Sequence, residues 1–214
     1  MAENEAPRKT FYHGSSVKGI RVLTPFSASQ NTIKKPVVYL TPNETLALFY
    51  IWNRIYRFVT FEEDERGVVV YTEWYENQFE DLTRGLSGSV YECADDPCIH
   101  ATHVAGVFNS DVPVPVLKET VIDDVQGEIR KKIADGRVVL RRYRSLGEAE
   151  KESIVKDTMV RAIHMERILT AEPTEYAAAK SAFIKEHFPD SWSIAEKMSD
   201  EEIKTMIDVW RRSH

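Results

Sequence analysis

The stretch "TFYHGSS", Thr10 to Ser16, sets a histidine against a glycine and two serines, directly after two aromatics. If Phe11 to His13 form a strand, Gly14 lets the backbone leave it without a Cβ, so a ligand can approach its amide and carbonyl closely. Such a backbone pair can hydrogen-bond a planar amide, His13 can address a sugar hydroxyl, and Ser15 and Ser16 offer further hydroxyls. A histidine satisfied locally in a turn also accounts for the seven residues, so a ligand site needs support from elsewhere in the chain. "VVYLTPNETLALFY" supplies it: Tyr39 near the end of a short strand, and Tyr50 eleven positions later on a capped helix. Aromatics from a strand end and a helix close by make a flat-sided slot where a ring could stack, although Phe49 and Tyr50 would serve equally as core.

A second cluster is "CADDPCIHATH", which holds Cys93, Cys98, His100 and His103 within eleven residues. Zinc takes four such ligands in a tetrahedron, but the C-x4-C-x-H-x2-H spacing is not that of a standard finger or ribbon. A loop between two strands explains it more simply, and no metal is expected. No P-loop, G-x-S-x-G or G-x-G-x-x-G occurs, which removes support for kinase-like and hydrolase-like chemistry.

The elements that must position these residues fall into two textures. Up to about residue 118 the runs are short, β-branched and aromatic: "TFYH", "VVYLT", "GVVVYTEWY", "GSVYEC", "HVAGVF" and "VPVPVLKE". Between them Thr41, Pro42 and Glu44 read as a capping box with proline at the first helical position, and Leu46, Phe49, Tyr50 and Asn53 share one face. Pro113 and Pro115 remove alternate ladder donors, which calls for an edge or a bulge in the last strand. Trp74, Tyr75, Asn77 and Phe79 in "YTEWYENQFEDLTRG" read as ordinary packing or a cover over the pocket. Afterwards the pattern is helical: Val121, Val125, Ile129 and Ile133 recur every four residues up to Gly136, a short strand "RVVLRRY" comes next, and "SLGE" and "SDEE" are capping-box starts. Pro173 opens a further helix, Trp192 and Trp210 are packing residues, and His164 and His187 lie on helical faces. The expected organisation is a core over 8–118 and a mostly helical extension over 119–214.

The chain has 214 residues, enough for one sizeable core with an appendage, and its 43% hydrophobic and 29% charged residues are those of a globular protein. "MAENEAPRK" at the start is the expected exception. A net charge of −6 offers no basic field for a phosphate backbone, so general nucleic-acid binding is disfavoured. "RRYR" at Arg141 to Arg144 and the pair Arg211 and Arg212 are the dense basic stretches, and Arg130 to Lys132 read as a solvated helix face. No apolar run approaches a membrane span and no signal-peptide core is present, so no membrane partner and a cytoplasmic location are expected. Two cysteines, Cys93 and Cys98, do not make a disulfide framework.

"YHGS" followed by "VYLTPNETLALFY" resembles the nicotinamide-binding half of the ADP-ribosyltransferase superfamily, in particular its poly(ADP-ribose) polymerase-like and rifamycin-modifying branches. The resemblance covers residues 10 to 54 well and 66 to 118 loosely. It implies an α+β fold with a split antiparallel β-sheet core, NAD as co-substrate, and transfer of ADP-ribose to an unidentified acceptor. By the same resemblance His13 binds the adenosine ribose, Gly14 and Ser15 hold the carboxamide, and Tyr39 and Tyr50 line and stack on the nicotinamide. Many members also carry a late-strand glutamate that stabilises the oxocarbenium-like transition state. Asp111 in "NSDVPVPV" is the leading candidate here, ahead of Glu92 in "VYEC" and Glu73 in "YTEWY", and some members dispense with this carboxylate. The alternative is a non-catalytic ligand-binding or protein-interaction module with the same fold. RNA 2'-phosphotransfer, a related activity, uses a set of arginines near the histidine, where only Arg21 stands close.

Overall fold

The protein is described by a computed structural model over residues 9–26, 35–52, 60–102, 104–172 and 174–213. Residues 1–8 of the opening tail, Asn53, His103 and Pro173 lie outside the described residues. The chain is mixed α and β, with antiparallel sheets and C-terminal helices. It divides into two compact units: one comprises residues 1–53, 61–71 and 80–140, the other 54–60, 72–79 and 141–214.

The strands are β1 (Thr10–Ser15), β2 (Val22–Leu23), β3 (Val38–Leu40), β4 (Thr60–Glu63), β5 (Val69–Thr72), β6 (Gly88–Ala94), β7 (His100–Ala101), β8 (Phe108–Ser110), β9 (Val114–Ile122) and β10 (Val138–Arg141). The helices are α1 (Glu44–Leu48), α2 (Gln78–Thr83), α3 (Val125–Ala134), α4 (Glu148–Ser153), α5 (Val160–Met165), α6 (Glu175–His187), α7 (Pro189–Lys197) and α8 (Asp200–Ser213). Residue 118, the expected boundary between core and extension, falls inside β9, and α3 still belongs to the first unit.

In the first unit β1, β6, β9 and β2 form one antiparallel sheet in that order, and β3, β8 and β7 form another. Alternation along β1 places Phe11, His13 and Ser15 on one face and Tyr12 and Gly14 on the other. On the first face Phe11 joins Leu23, Val38, Leu40, Tyr91, Cys93 and Val114 in a buried core. Its ring meets Phe108 of β8 edge-on at 4.9 Å between centroids, so the two sheets share that core. The ladder between β6 and β9 slips once: Glu92 faces Lys118 and Cys93 faces Val116, so Leu117 is an extra residue. The slip comes two residues after Pro115, in line with the bulge that the prolines call for.

The first helix is shorter than its sequence pattern and starts later. Asn43, not Thr41, is its cap: Oδ1 accepts from Thr45 and Leu46 N–H at 3.0 and 3.3 Å, while Nδ2 donates to the Gly67 carbonyl at 2.9 Å. Thr41 Oγ1 accepts from the Asn43 N–H at 3.1 Å, and Pro42 precedes the helix. Thr45 through Leu48 are all buried, so this turn of helix is core on every side. It packs directly against β1, since a Cβ on Gly14 would lie 1.9 Å from the Ala47 carbonyl oxygen. Gly14 lies within β1 and does not end it, and its missing side chain is occupied by α1. Gly14→Ala is therefore expected to cost about 3 kcal/mol, the upper end for overpacking, because the obstacle is backbone and cannot rotate away. Urea denaturation of the variant checks this, and an unchanged midpoint would contradict the close approach.

Two helix expectations change in detail. Val121 belongs to β9 and is exposed, while α3 begins after the Asp124 cap and buries Val125 and Ile129. Gly136, at φ 70°, ends that segment as its position suggested. Ser145 does not cap α4; its hydroxyl donates to Arg142 C=O in a 3-10 turn, and α4 starts after Gly147. The "SDEE" box does form, with Ser199 N–H donating to Glu202 Oε2 at 2.8 Å and Glu202 N–H to Ser199 Oγ at 3.4 Å. In "HVAGVF" the residues 104–107 run through a turn at Gly106, and Phe108 opens β8.

The second unit is built on its own core of Tyr75, Leu146, Ile154, Met159, Val160, Ile163, Ile168, Phe183, Ile184 and Phe188, with Trp192 packed against it. A π-helical stretch, Ile154–Met159, joins α4 to α5, and Ser191 Oγ donates to the Val155 carbonyl at 2.8 Å within it.

Candidate functional site

β1 and β3 run antiparallel but pair at one point, where Tyr12 N–H donates to Thr41 C=O at 2.7 Å and Thr41 N–H to Tyr12 C=O at 2.9 Å. A continuing ladder would next pair Gly14 with Tyr39. Instead His13 Nδ1 donates to the Tyr39 carbonyl at 2.8 Å, and Tyr39 takes its ladder partner, Asn109, from β8. The two strands fork there, with the imidazole as the wedge. By the alternation of an antiparallel strand, the amide and carbonyl of Gly14 point the same way as those of Tyr12, into the fork.

This hydrogen bond places a proton on one ring nitrogen. A carbonyl only accepts, so Nδ1 carries a proton, and Nε2 keeps its lone pair while the ring is neutral. Burial lowers the pKa of the ring, outweighing the opposing effect of its bond to Tyr39. Near neutral pH His13 is an uncharged imidazole that offers an acceptor at Nε2, which suits a sugar hydroxyl.

Around the fork, Tyr12, His13, Gly14, Tyr39, Leu40, Thr41 and Tyr50 line a crevice of about 10 Å³, space for about one water. The Tyr39 hydroxyl is buried, with no hydrogen-bond partner among the described residues. Tyr50 lies in the turn after α1, where its N–H donates to the Ala47 carbonyl and its ring stands edge-on to Phe61 at 5.6 Å. Thus His13, Gly14, Tyr39 and Tyr50 come together. Ser15 ends β1 beside them, with its hydroxyl accepting from the Val17 N–H at 3.1 Å.

The three carboxylates singled out by sequence do not join that group. Asp111 is exposed in the bend between β8 and β9. Glu92 sits opposite Tyr12, on the face of the sheet away from His13, and its charge with that of Glu44 adds to burial in raising the Tyr12 pKa. Glu73 lies in the other unit, 1% exposed, and its carboxylate is taken up by Arg142, Phe79 N–H and Tyr143 N–H.

A fourth carboxylate, Glu119, reads in the sequence only as the end of a strand. His13 faces Tyr91 on β6, and Tyr91 faces Glu119 on β9, so the three stand in one row across one face of the sheet. Its Oε1 accepts from Gly19 N–H at 2.8 Å, Ser89 Oγ at 2.6 Å and Tyr91 Oη at 3.1 Å. These donors, led by Gly19 N–H and then Ser89, hold the carboxyl below its usual pKa against the cost of desolvation, with Arg21 adding its charge. Sequence pattern misses Glu119 because strict alternation from Val116 puts it on the opposite face. The extra residue Leu117 turns it over, and nothing in "VPVPVLKE" shows where the register slips.

Of the cysteine and histidine cluster, the described residues Cys93, Cys98 and His100 do not form a metal-binding group. Cys93 is buried in the core, where desolvation, aided by the Glu92 charge, pushes its thiol up to about 12, the reverse of what a metal ligand needs. Cys98 is half-buried, His100 is exposed, and His103 is outside the described residues. Among the described residues no group of three or more histidine, cysteine, aspartate or glutamate side chains could hold a metal ion. No described helix is long and apolar enough to cross a membrane.

Comparison of the chain with protein-family models, with curated proteins and with solved structures finds no match.

Proposed function

We propose that this chain is an ADP-ribosyltransferase-like protein with the split antiparallel core of that superfamily, and that it transfers ADP-ribose from NAD to an acceptor. The observation that carries the reading is the His13 wedge: an uncharged imidazole held by the Tyr39 carbonyl, with Nε2 free to accept from a ribose hydroxyl. Gly14 offers one donor and one acceptor along the fork, the complement of a carboxamide. Tyr39 and Tyr50 supply the walls of a stacking slot. In the reaction the bond from C1′ of the ribose to the pyridinium nitrogen breaks, and its electron pair leaves with nicotinamide. The cation left at C1′ is met by the acceptor's nucleophile, which gives up a proton to solvent. We assign the stabilising carboxylate to Glu119 instead of Asp111 or Glu92, since it shares the face of His13.

One observation favours the second reading, a module that binds ligand without turnover. A crevice of about 10 Å³ admits nicotinamide only if β1, β3 and Tyr50 move apart. Thermal-shift titration with NAD, nicotinamide and ADP-ribose tests both readings, because a ligand of the native state raises stability by mass action. The transferase reading expects a shift with NAD that vanishes in His13→Ala, together with nicotinamide release. A shift without release selects the module, and no shift with any of the three ligands overturns the pocket.

A further inference from the structure

Three donors converge on one oxygen of Glu119, and they are not equivalent. Tyr91 has a single hydroxyl proton and two acceptors within reach, the Val17 carbonyl at 2.7 Å and Glu119 Oε1 at 3.1 Å. The shorter bond goes to Val17, while Tyr91 Oη also accepts from the Ile20 N–H at 3.3 Å. The tyrosine thus ties the segment Val17–Ile20 to the sheet and gives the carboxylate the weaker half of a shared proton. Gly19 N–H belongs to that same segment. Ser89 differs from both. It is fully buried on β6, and its hydroxyl reaches Glu119 Oε1 at 2.6 Å, within the range for a hydroxyl on a charged carboxylate. An ionised carboxylate only accepts, so the serine proton lies on this bond.

We propose that Ser89 is a positioning residue for Glu119: its hydroxyl fixes Oε1 in the sheet and leaves Oε2 to face the sugar cation. This rests on the transferase reading and deepens it. A device of this kind is useful where a half-buried carboxylate must stay charged as water leaves the site, because a loop amide alone would let it turn with the loop. The titratable and charged groups that bear on Glu119 are Tyr91 of β6 and Arg21, just past the segment, besides the neutral donors Ser89 and Gly19 N–H. Ser89 lowers the carboxyl pKa, so its removal raises that pKa and moves the acid limb of the pH–rate profile to higher pH.

The test compares Ser89→Ala, Ser89→Thr and Tyr91→Phe with the wild type by nicotinamide release over pH and by carbon NMR titration of the Glu119 carboxyl. In Ser89→Ala, kcat is expected to fall roughly tenfold, the loss of one charge-assisted hydrogen bond, while KM for NAD changes little. The acid limb and the NMR titration should both move upward, further than in Tyr91→Phe, and Ser89→Thr should restore them. The titration needs no activity, which separates the two claims. An unchanged Glu119 titration in Ser89→Ala overturns the role of Ser89 whatever the rates. A displaced titration in a protein that never releases nicotinamide upholds the coupling between Ser89 and Glu119 and overturns the transferase reading.

Discussion

Glu119→Gln is expected to lower nicotinamide release from NAD by about two orders of magnitude, while Asp111→Asn and Glu92→Gln leave it within about twofold of the wild type. The amide keeps the shape of the carboxyl group, and its oxygen can still accept from Gly19 N–H and Ser89 Oγ, so the local structure survives. What it removes is the negative charge that the proposed transfer sets against the developing cation. Such a charge becomes effective to the extent that bound NAD excludes water from it, because water then no longer competes for the cation. The geometry separates the three carboxylates beforehand: only Glu119 shares a row with His13, Glu92 is on the reverse face and Asp111 is in an exposed bend. Steady-state release measured at saturating NAD decides between them. Full activity in Glu119→Gln with loss in Asp111→Asn would restore the assignment drawn from the sequence.

The largest loss of stability is expected from Glu73→Ala, at about 3–5 kcal/mol by chemical denaturation. The Glu73 side chain is 2% exposed and Arg142, its ion-pair partner at 3.1 Å, is 32% exposed. Oε1 also accepts from Phe79 N–H at 3.1 Å, and Oε2 accepts from Tyr143 N–H at 3.0 Å. Truncation would take the carboxylate away from a partly buried guanidinium and two backbone amides at once, and each buried polar group that loses such an acceptor is costly. Glu73→Gln keeps the acceptor for one amide and should fall between wild type and alanine. A loss below about 1 kcal/mol in Glu73→Ala would mean that water replaces the carboxylate, and the case for a structural role would fail.

The contrast between Glu73 and Glu119 shows how much of the site was legible in the sequence. Glu73 directly follows β5 beside Trp74 and Tyr75, whereas Glu119 lies within β9 between Lys118 and Thr120, so residue type and neighbours favour Glu73 over Glu119. Glu73 has donors of its own unit on both oxygens, Arg142 and Phe79 N–H on Oε1 and Tyr143 N–H on Oε2. Glu119 has its three donors on one oxygen. That difference depends on which chain segments arrive from far away, Arg142 in one case and Gly19 with Ser89 in the other, and local pattern does not encode such arrivals.

Short-range chemistry was readable because it is decided by neighbours along the chain. The β-branched runs around Phe11, Val38, Val69, Val90 and Val114 became strands, Gly136 stopped a segment, and Ser199 with Glu202 closed a capping box. The sequence by itself also set the order in which His13, Gly14, Tyr39 and Tyr50 occur, and with it which elements had to meet. Only the tertiary structure decided three things. Gly14 has to be bare because α1 lies against it, a contact across more than thirty residues. His13 is pinned because β3 leaves β1 for β8 after a single bridge. Glu119 shares the sheet face of His13, with Tyr91 between them, because one extra residue, Leu117, turns the end of β9 over, and a one-residue slip exchanges the two faces of a strand whose side chains alternate with period two.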